Sequence, residues 1–371
     1  MAYPLYTILD NVQKLLPKDN SVISTPGMIV VASVVAEGTE DASVVAEISK
    51  MTTGCEGTKE EQRAVLQKAL QGFKESLGGV LSNSTIVVAP EVEHDYMRKM
   101  AASIPNMIFF DKFDKEEINK TVTDITGGEI TSAWEGELPK DANVNLVVSA
   151  VDFFKRQWLR KPKVVEDPLL FTRANGKKML LPAYIKFTSP DFILEEETFQ
   201  GAAVEFDTDM SSETGMSKTV GIFVKPMGCT EGLGHMCLAI LQNKRNTWPN
   251  DNRALLVPRF HFKYKLDLLE RMEKTKKPVP MQNVAPLSEL AVLQSSASVL
   301  CNEEGAQAAA CTTAVVVTRG ISMPKNITMD DAFYFVIGNI GPKIDMFTPI
   351  FVSFVAEPES PSSSVGRARG F

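Results

Sequence analysis

The sequence predicts an α+β protein built as one large domain, and three observations carry that expectation. Helical patterns fill most of the first 130 of the 371 residues, and runs rich in Val, Ile, Phe and Thr dominate the remainder. The strand candidates lie far apart in the chain, as in a sheet assembled from distant segments. No exposed linker divides the chain, which bounds a single domain at 1–358 followed by a disordered Pro/Ser-rich tail at 359–371.

Residues 4–16 set Leu5, Ile8, Leu9, Val12, Leu15 and Leu16 on one helical face, and Pro17 stops the helix. Ser24-Thr25-Pro26 opens an apolar segment reaching Ala36; apolar on every side, it reads as a buried central helix. A short helix follows at 42–51. Thr58-Lys59-Glu60-Glu61 is a capping box, continued by Ala64, Leu66, Leu70, Phe73 and Leu77. Next come a strand at 84–89, a helix at 90–103, a strand at 107–110 and a helix at 115–125 ended by Gly127-Gly128. Residues 143–154 are long, apolar and Val-rich, as suits a central buried strand. Beyond 168 the strand candidates are 169–171, 180–187, 202–206, 219–224, an alternating run at 255–264, and 297–300, 333–337 and 349–356. Helices are expected at 230–243 and 266–273, and a polar, Met-rich loop at 207–218.

Composition excludes several classes of function. Hydrophobic content of 44% with 23% charged residues is ordinary for a soluble globular chain. A net charge of −7 and a pI near 5.3 leave no basic footprint for nucleic acid or an anionic membrane. The longest apolar run, 28–36, is half of what a bilayer requires. The opening MAYPLYTILD lacks the basic and apolar regions of a secretory signal, so a cytoplasmic location is expected, with leaderless secretion as the alternative. Five cysteines (Cys55, Cys229, Cys237, Cys301, Cys311) are an odd number that argues against a disulfide framework. Three glycosylation sequons begin at Asn83, Asn119 and Asn326 and would matter only in a secretory route.

Motifs for catalysis are missing. His235 lies near Cys229 and Cys237, but no second cluster completes a metal site, and His94 and His261 stand apart. No glycine pattern matches a phosphate loop, and Glu195-Glu196-Glu197 reads as a solvated face. Lys155, Arg156, Arg160, Lys161 and Lys163 read as a solvated basic turn. The expectation is a protein that is not an enzyme and carries no metal or cofactor.

One stretch remains. Gly305 to Ala310 carry almost no side-chain volume, and a β-forming run, Ala314–Val317, follows before Arg319 and the unhindered Gly320. An Arg before a small residue in an exposed loop is what a trypsin-like pocket reads, because a buried carboxylate there pairs with the guanidinium.

At this point the chain resembles the serpin family, over about residues 5–358. SVISTPGMIVVASVVAEGTEDASVVAEI resembles the family's second and third helices, and EEINKTVTDITGGEI the helix that crosses its main sheet. LVVSAVDFFKRQWLRKP resembles the strand ending in the breach tryptophan, here Trp158. LLVPRFHFKYKLDL, EEGAQAAACTT and PIFVSFVAEP resemble the family's Leu-Pro-Arg-Phe strand with the helix after it, an inhibitory hinge and the C-terminal strand ending in Pro358. The resemblance implies a large central mixed sheet, about nine helices on the N-terminal side and a reactive loop over about 303–324. Arg319 stands sixteen positions after the first hinge glutamate, Glu303, so family spacing and chemistry both name Arg319–Gly320 as the bait bond.

The implied partner is a trypsin-like serine protease held as a covalent complex by a monomeric suicide substrate, with broader-specificity proteases of the cathepsin G kind as an alternative. The implied hinge is Glu303, Glu304, Gly305, Ala306, Gln307, Ala308, Ala309, Ala310, Cys311 and Thr312. Non-inhibitory relatives commonly carry bulky, charged or proline residues there; this chain does not. The family's polar shutter, by contrast, maps here to Thr25, Met28, Ser149 and Ser295, without the usual asparagine and histidine. That departure keeps a second reading open, a non-inhibitory binding or chaperone protein of the same fold.

Overall fold

The computed structural model describes residues 4–77, 82–88, 93–104, 107–112, 114–133, 144–207, 218–228, 231–243, 253–272, 279–284, 289–306, 326–341 and 346–358. Its centre is the helix Thr25–Gly38, in which every residue is buried. Ser24 caps the helix, its Oγ accepting from Gly27 N at 3.1 Å, and Pro26 occupies the first turn. The other end is closed by Arg63, whose guanidinium donates to Ala36 O at 2.7 Å and Thr39 O at 2.6 Å. Helix ends leave orphan carbonyls that burial would make costly. A cation reaching in from the neighbouring helix Lys59–Leu77 answers that cost.

Around this helix stand three main sheets. One six-stranded sheet, hereafter the large sheet, is mixed, with strand order Phe260–Asp267, Glu289–Cys301, Val144–Phe153, Ser82–Val88, Met107–Phe110; Val279–Pro280 adds to one end of Glu289–Cys301. Its two middle strands run parallel, as do the two at the Met107–Phe110 edge. A six-stranded antiparallel sheet runs Ser21–Ser24, Phe347–Val355, Phe333–Ile340, Lys218–Pro226, Phe199–Glu205, Phe192–Glu195. A four-stranded sheet joins Ile327–Thr328, Ala254–Val257, Tyr184–Thr188 and Lys163–Val165. Eight α-helices occur among the described residues, the last two being Leu233–Gln242 and Leu268–Arg271.

A chain of aromatic rings joins the sheets. Phe260 of the large sheet meets Phe333 and Phe335 of the antiparallel sheet edge-on, at 5.8 and 5.5 Å between centroids. Phe223 stacks on Phe335 at 4.7 Å and lies 6.3 Å from Trp158. A smaller apolar cluster (Ile86, Ile118, Val122, Ile130, Ala133) seats the helix Lys115–Ile125 on the opposite face of the large sheet.

The departures from the sequence reading have local causes. The strand expected at 180–187 is two, Lys178–Leu181 and Tyr184–Thr188, because Pro182 interrupts the ladder and sends the chain into another sheet. Pro258 likewise splits 255–264 into Ala254–Val257 and Phe260–Asp267. The helix expected at 266–273 starts two residues later, since Leu266 and Asp267 pair with Ser295 and Gln294 before Asp267 caps the turn. The strand at 297–300 is the end of a 13-residue strand whose Ser- and Gln-rich middle hides its apolar alternation. Ser21–Ser24 and Phe192–Glu195 are strands that the sequence reading missed.

Phe223 is fully buried at the junction of these rings. Phe223→Ala is expected to lower unfolding stability by about 3–5 kcal/mol, measured by chemical denaturation.

Candidate functional site

The site grows from the seam between the two middle strands of the large sheet. Glu289–Cys301 and Val144–Phe153 pair directly, from Glu289↔Val144 to Ser296↔Val151, with irregular register near the Glu289 end. Beyond Ser296 they part. Ala297 to Cys301 stay with Tyr264 to Phe260, while the other chain turns into Arg156–Gln157. In this fork lie Gly305–Ala306 of the expected hinge, which pair antiparallel with Arg156–Gln157. Gly305 has φ 153°, and a β-carbon there would lie 2.1 Å from Arg156 O, so only glycine fits.

A compact set of contacts fixes the turn into the hinge. Asn302 Oδ1 accepts from Glu304 N at 2.9 Å and Gly305 N at 3.2 Å, and Asn302 N donates to Gly305 O. Trp158 Nε1 donates to Asn302 O at 2.8 Å. The indole is itself buried, stacked on Phe206 at 4.3 Å and edge-on to Phe187 at 5.0 Å. Glu303 pairs with Arg259: Nη2 donates to Oε1 at 3.2 Å, and Nε lies 3.1 Å from Oε2 as an ion contact without hydrogen-bond geometry. Glu304 meets Lys161 at 2.6 Å on a more exposed surface. Burial pushes the Cys301 thiol well above the usual range, so it behaves as a small apolar group.

The expected shutter residues do not all converge. Thr25 Oγ1 donates to Pro349 O at 2.5 Å and Ile350 O at 3.2 Å, tying the central helix to the antiparallel sheet. Met28 is fully buried in that helix, and Ser295 is buried opposite Ala150 in the seam. Ser149 lies on the other face, its Oγ donating to Ala133 O at 3.0 Å beside the crossing helix. Side chains alternate along a strand, so a one-residue offset reverses the face, and Ala150 holds the place expected of Ser149. The expected reactive bond, Arg319–Gly320, and the expected hinge residues Gln307, Ala308, Ala309, Ala310, Cys311 and Thr312 lie outside the described residues.

Other sequence candidates resolve into packing. His235 lies 3.4 Å from Glu231, just ahead of its helix, and His261 lies 3.9 Å from Glu129. Among the described residues no group of three His, Cys, Asp or Glu could hold a metal. The basic turn is paired: Arg160 with Asp191, Lys161 with Glu304, and Arg156 with Asp207 O. Two sequon asparagines are engaged, Asn119 Oδ1 accepting from Ala133 N and Asn326 Oδ1 from Ala254 N, each at 3.0 Å. Sequence reasoning missed Asn302; its one signal was an Asn three residues before Gly305, the spacing of a turn.

A mixed sheet whose parallel seam forks beside a small-residue hinge defines a serpin-type fold. A family model described as Serpin (serine protease inhibitor) matches residues 2–352, and the chain belongs to that family. Among solved structures, the thermophilic serpin tengpin in its native state is 16% identical, with 96% of this chain and 93% of that one covered at a TM-score of 0.68. Human thyroxine-binding globulin, complexed with thyroxine, is 14% identical over 96% of this chain and 100% of that one, at 0.70. Native protease nexin-1 with heparin is 15% identical over 96% and 97%, at 0.66. No curated protein sequence matches the chain.

Trp158→Phe keeps an aromatic ring and removes the bond to Asn302 O; it should cost about 1 kcal/mol in denaturant unfolding. Lys161→Ala, at an exposed pair, should change the same measurement by less than about 0.5 kcal/mol.

Proposed function

We propose that this serpin inhibits trypsin-like serine proteases as a suicide substrate, with Arg319–Gly320 as the bait bond. The observation that carries the reading is the forked seam with Gly305–Ala306 held at its mouth. The protease serine attacks the Arg319 carbonyl and becomes acylated. Cleavage frees the hinge, which enters between Glu289–Cys301 and Val144–Phe153 as an added strand and carries the protease away before deacylation. Gly305, Ala306, Ala308, Ala309, Ala310 and Cys311 are small enough to thread such a gap. Gln307 falls on the opposite face from Ala306 and Ala308.

The closed seam also carries cost that insertion can relieve. Among the described residues, the hydroxyls of Ser295 and Ser296 on the seam and of Thr85 on the next strand are buried without a hydrogen-bond partner. Each such group costs on the order of 1–3 kcal/mol.

Thyroxine-binding globulin among the structural neighbours supports a second reading, a binding protein of the same fold. The unpolar shutter positions Met28 and Ala150 favour it too. Melting before and after loop cleavage separates the two: a large rise in melting temperature supports inhibition, and no rise supports binding.

The same proposal puts the protein in the cytoplasm, with leaderless secretion as the alternative. The buried thiols of Cys237 and Cys301 and the engaged sequon asparagines agree with a reducing route without N-glycans.

Mixed with trypsin, the protein is expected to give a complex that survives denaturing electrophoresis; simple cleavage after Arg319 would sink the reading. Arg319→Glu should abolish trypsin inhibition and leave the melting temperature unchanged, and persisting inhibition would move the bait bond to Thr318 or Met323. Ala306→Arg should convert inhibitor into substrate, read as cleaved product replacing the complex on the gel.

A further inference from the structure

The proposed mechanism gives no role to a carboxylate buried at the seam. Asp152 is only 2% exposed. It is the first residue of its strand beyond Val151↔Ser296, the last pair of the seam, so it stands where the fork begins. Opposite lies Gly27, in the first turn of the central helix. A β-carbon on Gly27 would fall 2.1 Å from Asp152 Oδ2, 3.1 Å from Ala150 Cβ and 3.2 Å from Ser24 Oγ. The carboxylate therefore fills the space that a side chain at Gly27 would take. Glycine is a poor residue in a helix otherwise rich in Val, Ala, Met and Ile, so this one is explained by the contact it permits. The first turn of a helix also favours a negative group.

For a strand to enter the seam, its two walls must separate by one strand spacing, about 4.8 Å. One wall is fixed: Glu289–Cys301 is paired to Phe260–Asp267, and Phe260 packs on Phe333 and Phe335. The central helix is fixed to the same antiparallel sheet by the Thr25 bonds to Pro349 and Ile350. The moving part is then the other wall, Val144–Phe153 with Ser82–Val88 and Met107–Phe110 paired in succession onto it. A shift of that size draws Asp152 out of the space at Gly27.

We propose that Asp152 and Gly27 form a key and notch that hold the movable half of the large sheet on the central helix, so that the seam opens only when this contact slips. Asp152 is thus a positioning residue for loop insertion. The inference rests on the inhibitory reading, because it assigns the timing of the step that reading requires.

The test measures seam opening without a protease. A synthetic peptide with the sequence of residues 303–318 is incubated with the whole protein, and its uptake is followed by the rise in melting temperature and by native gel. Asp152→Ala removes the key, and Gly27→Ala fills the notch from the other side; each should speed uptake about tenfold over the parent. If one variant fails to fold, the other carries the test. Leu9→Ala, a core cavity far from the seam in sequence and sheet, should lower the melting temperature and leave the uptake rate unchanged. Uptake at the parental rate in the folded variants, or equal acceleration by Leu9→Ala, overturns the key and notch. A parent protein that forms a stable trypsin complex while the variants behave like it removes this inference alone. A parent that takes up no peptide and forms no complex removes the inhibitory reading and this one with it.

Discussion

The rest of the structure depends on the direct pairing of Glu289–Cys301 with Val144–Phe153. Parallel pairing between strands so distant in sequence is slow to form and needs both faces covered. The fold covers them with different material. The wholly buried helix Thr25–Gly38 backs one face, and Lys115–Ile125 with the segment to Ala133 crosses the other. Each cover is anchored to something other than the seam alone. Thr25 is bonded to the antiparallel sheet, and Lys263 at the sheet's edge strand donates to the Glu129 carbonyl. A pair of strands clamped from both faces, yet ending in an open fork, is a sheet with one defined place to yield.

That fork is held by interactions of unequal weight. The Trp158–Asn302 bond and the Asn302 turn lie in a largely buried setting, where a hydrogen bond left unmade is costly. The Arg259–Glu303 pair has one hydrogen bond and partly covered partners, whereas Lys161–Glu304 is mostly solvated and adds little. The hinge is therefore held by its backbone turn and the indole first, by Arg259 second and by Lys161 last. Gly305 adds a steric condition, since its approach to Arg156 O leaves no room for a β-carbon. Gly305 thus meets the demand of the resting contact at Arg156–Gln157, and under the proposed mechanism small residues here would also allow passage between strands.

The sequence made the elements with one clear period legible. The central helix, the capping-box helix and the Val-rich 143–154 strand were all visible, because a single physical pattern governs each. What stayed hidden depended on neighbours. Proline breaks at Pro182 and Pro258 redirect strands between sheets, and a run such as 255–264 carries no sign of which sheet each half will join. The Ser-rich strand 289–301 is buried by its partners, not by its own hydrophobicity. At the site, Trp158 and the hinge glutamates were legible as a pattern, but the face of Ser149 was not, because an alternation read one residue out of step reverses it. Asp152 was invisible for a similar reason: a lone acid in an apolar strand gains its meaning only when Gly27 appears across from it.

These particulars bear on how a chain with such an apolar shutter can still hold its sheet closed. Met28 and Ala150 offer no hydrogen bond across the seam, so a polar network of serines, asparagine and histidine cannot do the holding. The polar groups that remain are divided between faces. Ser149 fastens the crossing segment through Ala133, and Asp152 lies against the first turn of the central helix. Ser295 and Ser296 stay buried and unsatisfied on the wall of the seam. Restraint and strain are therefore carried by different residues. On the proposed reading, the contacts that would keep the sheet shut sit on its two outer faces, and the unpartnered hydroxyls that opening could relieve sit on the strand that walls the seam. An inserted strand would leave the first group displaced and offer the second new partners. On the proposed inhibitory reading, a closed sheet of this kind would resist until its faces give way, and would then gain from opening.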